Sequence, residues 1–270
     1  MDDDRRAAAK DLLVLAREAV AGGAALASRR RAELVTDVRT KSTETDVVTA
    51  ADLAVEAHVI GALRAVRPGD AFISEESGAD GAEGPVRWIL DPIDGTVNYL
   101  YGLPYAAVSL AAEVDGELVA AVVRNVDSGE EWTAVRGGGA FHDGRPIHGS
   151  VATELGLSLV ATGFGYDAGR RAHQAAVMAG LLPRIRDIRR LGAGALDLCH
   201  AASGMVDAYF EKGLNRWDWS AGQLVAEEAG LIVSGLRGAP ASERFVLAAP
   251  PRIHGALHDA LVALDADQGP

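Results

Sequence analysis

The alternation of apolar and polar residues divides the chain into a helical beginning, a strand-rich middle and a second half of alternating elements. Residues 5–31 are rich in Ala, Leu and Val with charges spaced between them, which predicts an amphipathic helix. Gly22-Gly23 is expected to weaken this helix midway. A second helix is predicted over 49–66, with Thr49 and Asp52 as a capping pair at its start. The polar segment between them, 37–46, is interpreted as a loop or exposed hairpin.

The middle of the chain predicts strands joined by tight turns. After a strand at 71–74, the apolar run Trp88–Leu90 is typical of a short buried strand, and Asp91-Pro92 is expected to end it because proline lacks a backbone donor. Asp115-Gly116 lies between two apolar runs, which is a strong hairpin signal. We therefore expect an antiparallel meander with strands at 108–114, 118–123 and 131–135.

Strands and helices alternate in the second half of the chain. The predicted strands are 158–162, 208–211, 231–233 and 245–248. The predicted helices are 171–177, 195–205, 220–229 and 253–264. No internal repeat or low-complexity linker is present, so we predict one α/β domain over residues 1–270, built from two intimately packed halves without a sharp boundary.

Composition and charge narrow the classes of function. With 38 acidic against 26 basic residues, the net charge is −12, which argues against nonspecific nucleic-acid binding. The single cysteine excludes an internal disulfide. We find no signal-peptide pattern at the N-terminus and no run of about 18 apolar residues. We therefore expect a cytoplasmic protein with no membrane segment.

The candidate chemistry begins directly after the predicted strand at 88–90. Asp91 and Asp94 are three residues apart and are followed by Gly95-Thr96, which is expected to open a short helix. Two carboxylates on a rigid turn suit a hard divalent cation, and a helix N-terminus suits an anion. The two carboxylates could equally cap the helix. This stretch alone does not separate the two interpretations.

Other acidic residues share this placement near the ends of predicted elements. Glu75-Glu76 follows a strand, Asp52 lies near a helix start, and Asp218 precedes a helix between two tryptophans. Ligands of open α/β sheets bind beyond the ends of the strands. A lone carboxylate among tryptophans would be costly to bury, and a metal ion would compensate for that cost.

Together these motifs resemble the inositol monophosphatase family of Mg²⁺-dependent, lithium-sensitive phosphatases. The resemblance rests on Asp91-Pro-Ile-Asp-Gly-Thr96, Glu75-Glu76 and Trp217-Asp-Trp-Ser-Ala-Gly222. It extends to Lys41-Ser42, Asp46 to Asp52, Gly192 to Ala195 and Tyr209-Phe-Glu211, in the same order along nearly the whole chain. Gly194 stands where Ala is usual, and Ser220 replaces a small apolar residue.

The resemblance implies an α-β-α-β-α layered sandwich of the inositol monophosphatase and fructose-1,6-bisphosphatase type. It also implies two to three Mg²⁺ ions. The first would be held by Glu75, Asp91 and the carbonyl of Ile93. The second would be held by Asp91, Asp94 and Asp218, and Glu75 would reach a weaker third site near Lys41.

Catalytic and substrate-binding roles are also implied by the resemblance. Thr96, held by Asp52, would orient the attacking water, and Glu75 would complete the catalytic set. The substrate would contact Asp94, Gly95, Thr96, Gly192, Gly194, Glu211 and Asp218.

The resemblance implies hydrolysis of an inositol monophosphate by a homodimer. Histidinol phosphate, fructose 1,6-bisphosphate and 3′-phosphoadenosine 5′-phosphate are alternative substrates, because related phosphatases share the metal-binding motifs. A different class of function is association with transcription machinery, which some bacterial members of the family show.

Overall fold

The structure is a computed structural model that describes residues 3–33, 39–40, 47–48 and 50–269. The helices of these residues are α1 (Asp3–Glu33), α2 (Ala50–Val66), α3 (Thr96–Tyr101), α4 (Ala168–Leu181), α5 (Gly194–Ala202), α6 (Arg216–Glu228) and α7 (Pro251–Ala263). The strands up to the middle of the chain are β1 (Arg39–Thr40), β2 (Val47–Val48), β3 (Ala71–Ser74), β4 (Gly78–Ala79), β5 (Arg87–Asp94), β6 (Ala107–Val114), β7 (Glu117–Asn125), β8 (Glu131–Val135), β9 (Gly139–His142) and β10 (Arg145–Pro146). The later strands are β11 (Leu159–Thr162), β12 (Asp187–Arg189), β13 (Ala208–Glu211), β14 (Ile232–Ser234) and β15 (Val246–Ala249).

The strands form two large sheets and one small ribbon. The larger sheet has eight strands in the order β10-β9-β8-β7-β6-β5-β3-β4, and it contains the predicted meander β6-β7-β8. The smaller sheet has five strands in the order β12-β11-β13-β15-β14, and β1 pairs with β2. In the larger sheet β3 and β5 are parallel neighbours, so both strands end at the same edge.

Three apolar clusters show how the layers stack. One cluster joins α1 and α2 to one face of the larger sheet, through residues such as Val20, Val55 and Val108. The second lies between the two sheets and includes Leu196 of α5 and Leu224 of α6. The third covers the outer face of the smaller sheet with α4 and α7. The order is therefore α-β-α-β-α, which confirms the predicted layered sandwich.

The first helix is continuous through the glycine pair that was expected to weaken it. A Cβ atom on Gly22 would lie 2.3 Å from Nε2 of His58 on α2, and one on Gly23 would lie 2.9 Å from Val59. The pair therefore permits close packing of α1 on α2. The helix predicted at 5–31 is confirmed.

The predicted end of the strand at Leu90 is wrong, because β5 continues through Pro92 to Asp94. The pairing of β5 with β6 shifts by one residue between Asp91 and Asp94. Such a bulge leaves a residue outside the ladder, so a proline is tolerated there. The strand thus carries both aspartates to the edge of the sheet.

Other differences concern the bounds of elements. Helix α6 begins at Arg216, so Asp218 lies in its first turn and not before it. Helix α5 begins at Gly194 and ends at Ala202, three residues before the predicted end, and α4 extends beyond the predicted 171–177 at both ends. The short strands β4, β9, β10 and β12 were not predicted. Most of the segment 37–46, including Lys41, lies outside the described residues, and so does Thr49.

Candidate functional site

Two parallel strands bring the first acidic residues together. Ser74 of β3 lies opposite Leu90 of β5, and the next residue, Glu75, donates its backbone N–H to the carbonyl of Leu90 at 3.3 Å. Asp91 follows Leu90 directly and is 1% exposed. Glu75 and Asp91 therefore stand side by side, where β3 ends and the bulge of β5 begins, near the strand ends at which α/β sheets bind ligands.

Helix α6 brings Asp218 to the same place. Its first turn is fixed by a hydrogen bond in which the backbone N–H of Asn215 donates to Oδ2 of Asp218 at 2.6 Å. The side chain of Asp218 also lies close enough to that of Asp91 for each to influence the pKa of the other. The predicted ligands from β5 and α6, which are more than 120 residues apart in the chain, are thus neighbours.

Asp94 faces the N-terminus of α5. Its Oδ2 accepts the backbone N–H of Ala195 at 2.7 Å, and the N–H groups of Gly194 and Leu196 also contribute. Free N–H groups and the helix dipole favour a negative charge at this position. Gly194 therefore contacts a predicted metal ligand.

The pKa values of these carboxyl groups are raised. Burial, and then Glu75 and Asp94, raise the pKa of Asp91 well above its ordinary value. Burial also raises the pKa of Asp94 to about 6, against the opposing effect of the α5 N–H groups. The pKa of Asp218 rises to about 8, through desolvation and the charge of Asp94. Although Glu75 is exposed, desolvation of its carboxyl group in the cleft and the charge of Asp218 raise its pKa to about 8.

These acidic groups fit the binding of a hard divalent cation by their chemistry. Oδ1 of Asp91 is buried and has no hydrogen-bond partner, and the donors are all oxygen atoms. No described lysine or arginine forms an ion pair with Glu75, Asp91, Asp94 or Asp218. Within the described ranges, no three acidic, histidine or cysteine side chains already converge as ligands to one ion. The fit therefore rests on the donor chemistry and on the unpartnered oxygen.

Gly95 and Thr96 form the turn that leads from β5 into α3. Gly95 has a φ of 84°, and a Cβ atom at this position would lie 2.9 Å from the carbonyl oxygen of Tyr105, so the turn requires glycine. Thr96 Oγ1 donates to the carbonyl of Ile93 at 3.0 Å. Thr96 therefore does not form the hydrogen bond to Asp52 that the resemblance implied. A hydroxyl group has one proton to donate, and the Ile93 carbonyl, three residues earlier in the same turn, accepts it.

Asp52 lies beside the site but does not line its open space. It is 1% exposed on the first turn of α2, and its charge contributes to the raised pKa values of Glu75 and Asp91. The sequence thus correctly predicts that Asp52 belongs to the acidic group. Its implied contact with Thr96 is the part that the structure does not bear out.

The acidic residues open into a cleft of about 530 Å³. Apart from Asp52, the predicted site residues line this cleft, and they are Glu75, Asp91, Ile93, Asp94, Gly95, Thr96, Gly192, Gly194, Glu211 and Asp218. The sequence prediction missed the cationic part of the lining, Arg170 and Arg190. Arg190 lies two residues before the predicted Gly192, and this proximity is the only signal that could have indicated it.

Glu211 lies on the wall supplied by the smaller sheet. Its Oε2 accepts the hydroxyl proton of Tyr209 at 2.8 Å. Desolvation raises the pKa of Glu211 to about 7, while the Tyr209 hydroxyl and the charge of Arg190 act in the opposite direction. Glu211 is therefore a carboxylate that shares the cleft with the metal-binding candidates and has a cation nearby.

A pair of histidines elsewhere has the spacing of a zinc site but different contacts. His254 and His258 are four residues apart on α7. His254 Nε2 lies 2.9 Å from the Ser234 hydroxyl, and His258 Nε2 accepts the backbone N–H of Arg237 at 3.0 Å. These nitrogens bind protein groups, so the acidic cleft is the better candidate site.

The fold and the site together define a layered α/β protein with a carboxylate-walled cleft suited to divalent cations. A model of the inositol monophosphatase family matches residues 9–266. The inositol-1-monophosphatase of Mycobacterium leprae is 43% identical over 235 residues, which cover 83% of this chain and 81% of that protein. The chain belongs to the inositol monophosphatase family, and this membership supports phosphatase activity.

Two further relatives broaden the comparison. The solved structure of Mycobacterium tuberculosis SuhB is similar with a TM-score of 0.83 and 38% identity, covering 96% of this chain and 98% of that chain. The Nus factor SuhB of Escherichia coli K12 is 42% identical over 195 residues, which are 72% of this chain and 73% of that protein.

No helix among the described residues is long and apolar enough to span a membrane.

Proposed function

We propose that this chain is a Mg²⁺-dependent phosphatase that hydrolyses inositol monophosphate to inositol and phosphate. The observation that carries the proposal is the buried, unpartnered carboxylate oxygen of Asp91, at the centre of an acidic cleft in a member of this family. The substrate class is supported by the relatives whose names specify inositol-1-monophosphatase.

The metal would be held by the acidic residues of the cleft. Glu75, Asp91 and the Ile93 carbonyl would form one position, and Asp91, Asp94 and Asp218 a second. A third, weaker position would use Glu75. When bound, the ions supply Lewis-acid polarisation of the phosphate and lower the pKa of water. They also reverse the local field, which allows a protein of net charge −12 to bind an anion.

The protein groups would orient the reactants. The hydroxyl of Thr96 would orient the attacking water, and the backbone N–H groups of Gly95 and Thr96 would donate to the phosphate. Glu211 would accept hydrogen bonds from hydroxyl groups of the inositol ring, and charge makes such bonds strong. Gly192 and Gly194 would leave room for the ring beside α5.

The test is release of inorganic phosphate from inositol 1-phosphate, measured with Mg²⁺, with a chelator, and after Mg²⁺ is restored. We expect activity only with the metal, and we expect lithium to inhibit. Histidinol phosphate, fructose 1,6-bisphosphate and 3′-phosphoadenosine 5′-phosphate are the comparison substrates. A higher kcat/KM for one of these would reassign the substrate, and metal-independent hydrolysis would overturn the mechanism.

A regulatory role is a second proposal, and it rests on the similarity to the Escherichia coli protein named Nus factor SuhB. A pull-down at low salt with Asp91→Asn as bait separates the two roles. Capture of transcription proteins by this inactive variant would support the regulatory role, and their absence would contradict it.

We further propose a cytoplasmic homodimer, which light scattering and cell fractionation would test.

A further inference from the structure

A buried glutamate lies on the larger sheet away from the cleft, between two arginines. Glu113 of β6 is 3% exposed. Arg87, directly opposite it on β5, places Nη1 3.2 Å from Oε1 of Glu113. Arg216, the first residue of α6, forms an ion pair with the other carboxylate oxygen. Glu113 is therefore shared between a neighbouring strand and a helix that packs on the sheet.

A bulge in the sheet accompanies this arrangement. The pairing of β6 with β7 shifts between Ala112 and Glu113, so Glu113 lies opposite Leu118. Bulges bend a strand and redirect its side chains. The carboxylate of Glu113 reaches the N-terminus of α6, where Arg216 and Trp219 line the same surface recess.

The two partners of Glu113 begin the two elements that carry predicted metal ligands. Strand β5 runs from Arg87 to Asp94 and contains Asp91, while α6 starts at Arg216 and holds Asp218 in its first turn. Glu113 thus ties the start of one element to the start of the other. Its carboxylate does not line the cleft, so any effect on metal binding must be indirect.

We propose that Glu113 is a positioning residue that fixes the first turn of α6 against the sheet, so that the Asp218 carboxylate faces Asp91. This inference rests on the proposed metal-dependent function. The hydrogen bonds of the turn itself, such as the reciprocal pair between Asn215 and Asp218, move with the helix and do not tie it to the sheet. The indole N–H of Trp219 has no hydrogen-bond partner, so it supplies no polar anchor. Among the described residues, the ion pair of Arg216 with Glu113 links this turn to β6.

Metal binding can be measured without turnover because Trp217 and Trp219 flank Asp218. Tb³⁺ is a hard cation with oxygen ligands, and tryptophans next to a ligand sensitise its luminescence. Titration with Tb³⁺, followed by displacement with Mg²⁺, gives both affinities. We expect Glu113→Gln to weaken the affinities for Tb³⁺ and Mg²⁺ roughly tenfold, at the lower end of the loss seen when a residue that orients a metal ligand is replaced. Arg216→Gln, in which a partly exposed side chain changes, should do the same.

The sheet supplies a matched control in Glu131. This residue is 6% exposed and is also bound by two arginines, Arg124 on the neighbouring strand and Arg17 on α1. Its partners lie on the opposite side of the sheet from α6. Glu131→Gln should lower the melting temperature by about as much as Glu113→Gln and leave Tb³⁺ affinity at the wild-type value.

Three outcomes would overturn the proposal. The first is wild-type affinity in Glu113→Gln, and the second is an equal loss in Glu131→Gln. The third is additive loss in the double variant Glu113→Gln/Arg216→Gln, because two residues that act through one ion pair give a non-additive cycle. If the wild type binds neither Tb³⁺ nor Mg²⁺, the metal dependence of the proposed function fails as well. Binding by the wild type with no effect of Glu113→Gln overturns the positioning role alone.

Discussion

Three buried carboxylates on one sheet are stabilised in two different ways. Glu113 and Glu131 each contact two arginines, one from the adjacent strand and one from a helix. Asp91 of the same sheet is more deeply buried, forms no ion pair with a described residue and keeps one oxygen without a partner. Burial of an uncompensated charge is costly, so the protein itself balances the first two and leaves Asp91 to be balanced by something else.

This difference separates structural from functional acidic residues more sharply than burial does. Around Asp91 the neighbouring side chains are themselves acidic, and their charges raise the pKa of one another. Such an arrangement lowers the stability of the protein alone and increases its affinity for cations. Perturbed acidic groups that share a cleft are characteristic of functional sites.

Asp91→Asn should have the largest effect on activity. The amide keeps the size of the side chain but loses the charge shared by both proposed metal positions. We expect kcat/KM for inositol 1-phosphate to fall roughly a thousandfold, because metal assistance is worth several kcal/mol. The melting temperature in chelator should not fall, since no ion pair is broken.

Glu131→Gln is the opposite case in this comparison. It should retain wild-type kcat/KM and lose about 1–3 kcal/mol of unfolding free energy, between the values for exposed and buried ion pairs. Both variants are measured by phosphate release and by urea denaturation. If Asp91→Asn destabilised the protein more than Glu131→Gln, the contrast between the two kinds of carboxylate would not hold.

Thr96→Ala should have the next largest effect and would separate orientation of water from metal binding. Loss of the hydroxyl should lower kcat roughly a hundredfold, as loss of a group that positions a proton transfer does. The Mg²⁺ concentration for half-maximal activity should change little, because the carboxylate ligands remain. Thr96→Ser keeps the hydroxyl and should retain most of the rate. A large rise in the Mg²⁺ requirement of Thr96→Ala would show that the bond to the Ile93 carbonyl shapes the metal site.

The sequence predicted the acidic residues well because each lies in a short motif at the end of an element. Asp91 to Thr96 form one contiguous turn, and Glu75 and Asp218 each stand beside a strand or helix that the apolar pattern reveals. Contacts between distant segments could not be predicted from the sequence. The pairing of Glu113 with Arg216 spans 103 residues and depends on a bulge in β6.

Local rules also failed where tertiary structure overrode them. Proline at position 92 predicted the end of a strand, but a register shift accommodates it. Arg170 was missed because nothing in its local sequence marks it, and it reaches the cleft only through the packing of α4. The apolar pattern therefore predicted most elements, and the family resemblance implied the order of the layers and the acidic residues of the site. Neither predicted the contacts between distant segments.

Without metal, the unfolding free energy should fall as the pH rises, because carboxyl groups of the cleft have raised pKa values. Glu75 has a pKa raised from 4.5 to about 8, and Asp218 is raised to a similar value. The folded state therefore binds more protons than the unfolded state between about pH 4 and pH 8, so the unfolding free energy falls as the pH rises through this window. In chelator, the melting temperature should drop by several degrees from pH 5 to pH 8.

Saturating Mg²⁺ should remove most of this fall, because the ion binds the deprotonated carboxylates. The control is Glu75→Gln/Asp218→Asn, which should show a flatter profile in chelator. The same slope in this variant would mean that the pH dependence arises outside the cleft.

Glu211 is intermediate between the two kinds of carboxylate, and among the cleft residues its replacement should have the smallest effect on catalysis. It has a hydroxyl donor in Tyr209 and the charge of Arg190 nearby, yet it lines the cleft. Its proposed partners are substrate hydroxyls, so Glu211→Gln should leave the Mg²⁺ requirement unchanged. The ratio of kcat/KM for inositol 1-phosphate over glycerol 2-phosphate should fall roughly tenfold, since one charged hydrogen bond to a ring hydroxyl becomes neutral. Tyr209→Phe removes the neighbouring donor but keeps the carboxylate, and it should change the ratio less. An unchanged ratio in Glu211→Gln would mean that Glu211 does not bind the polyol, and histidinol phosphate would then become the better candidate substrate.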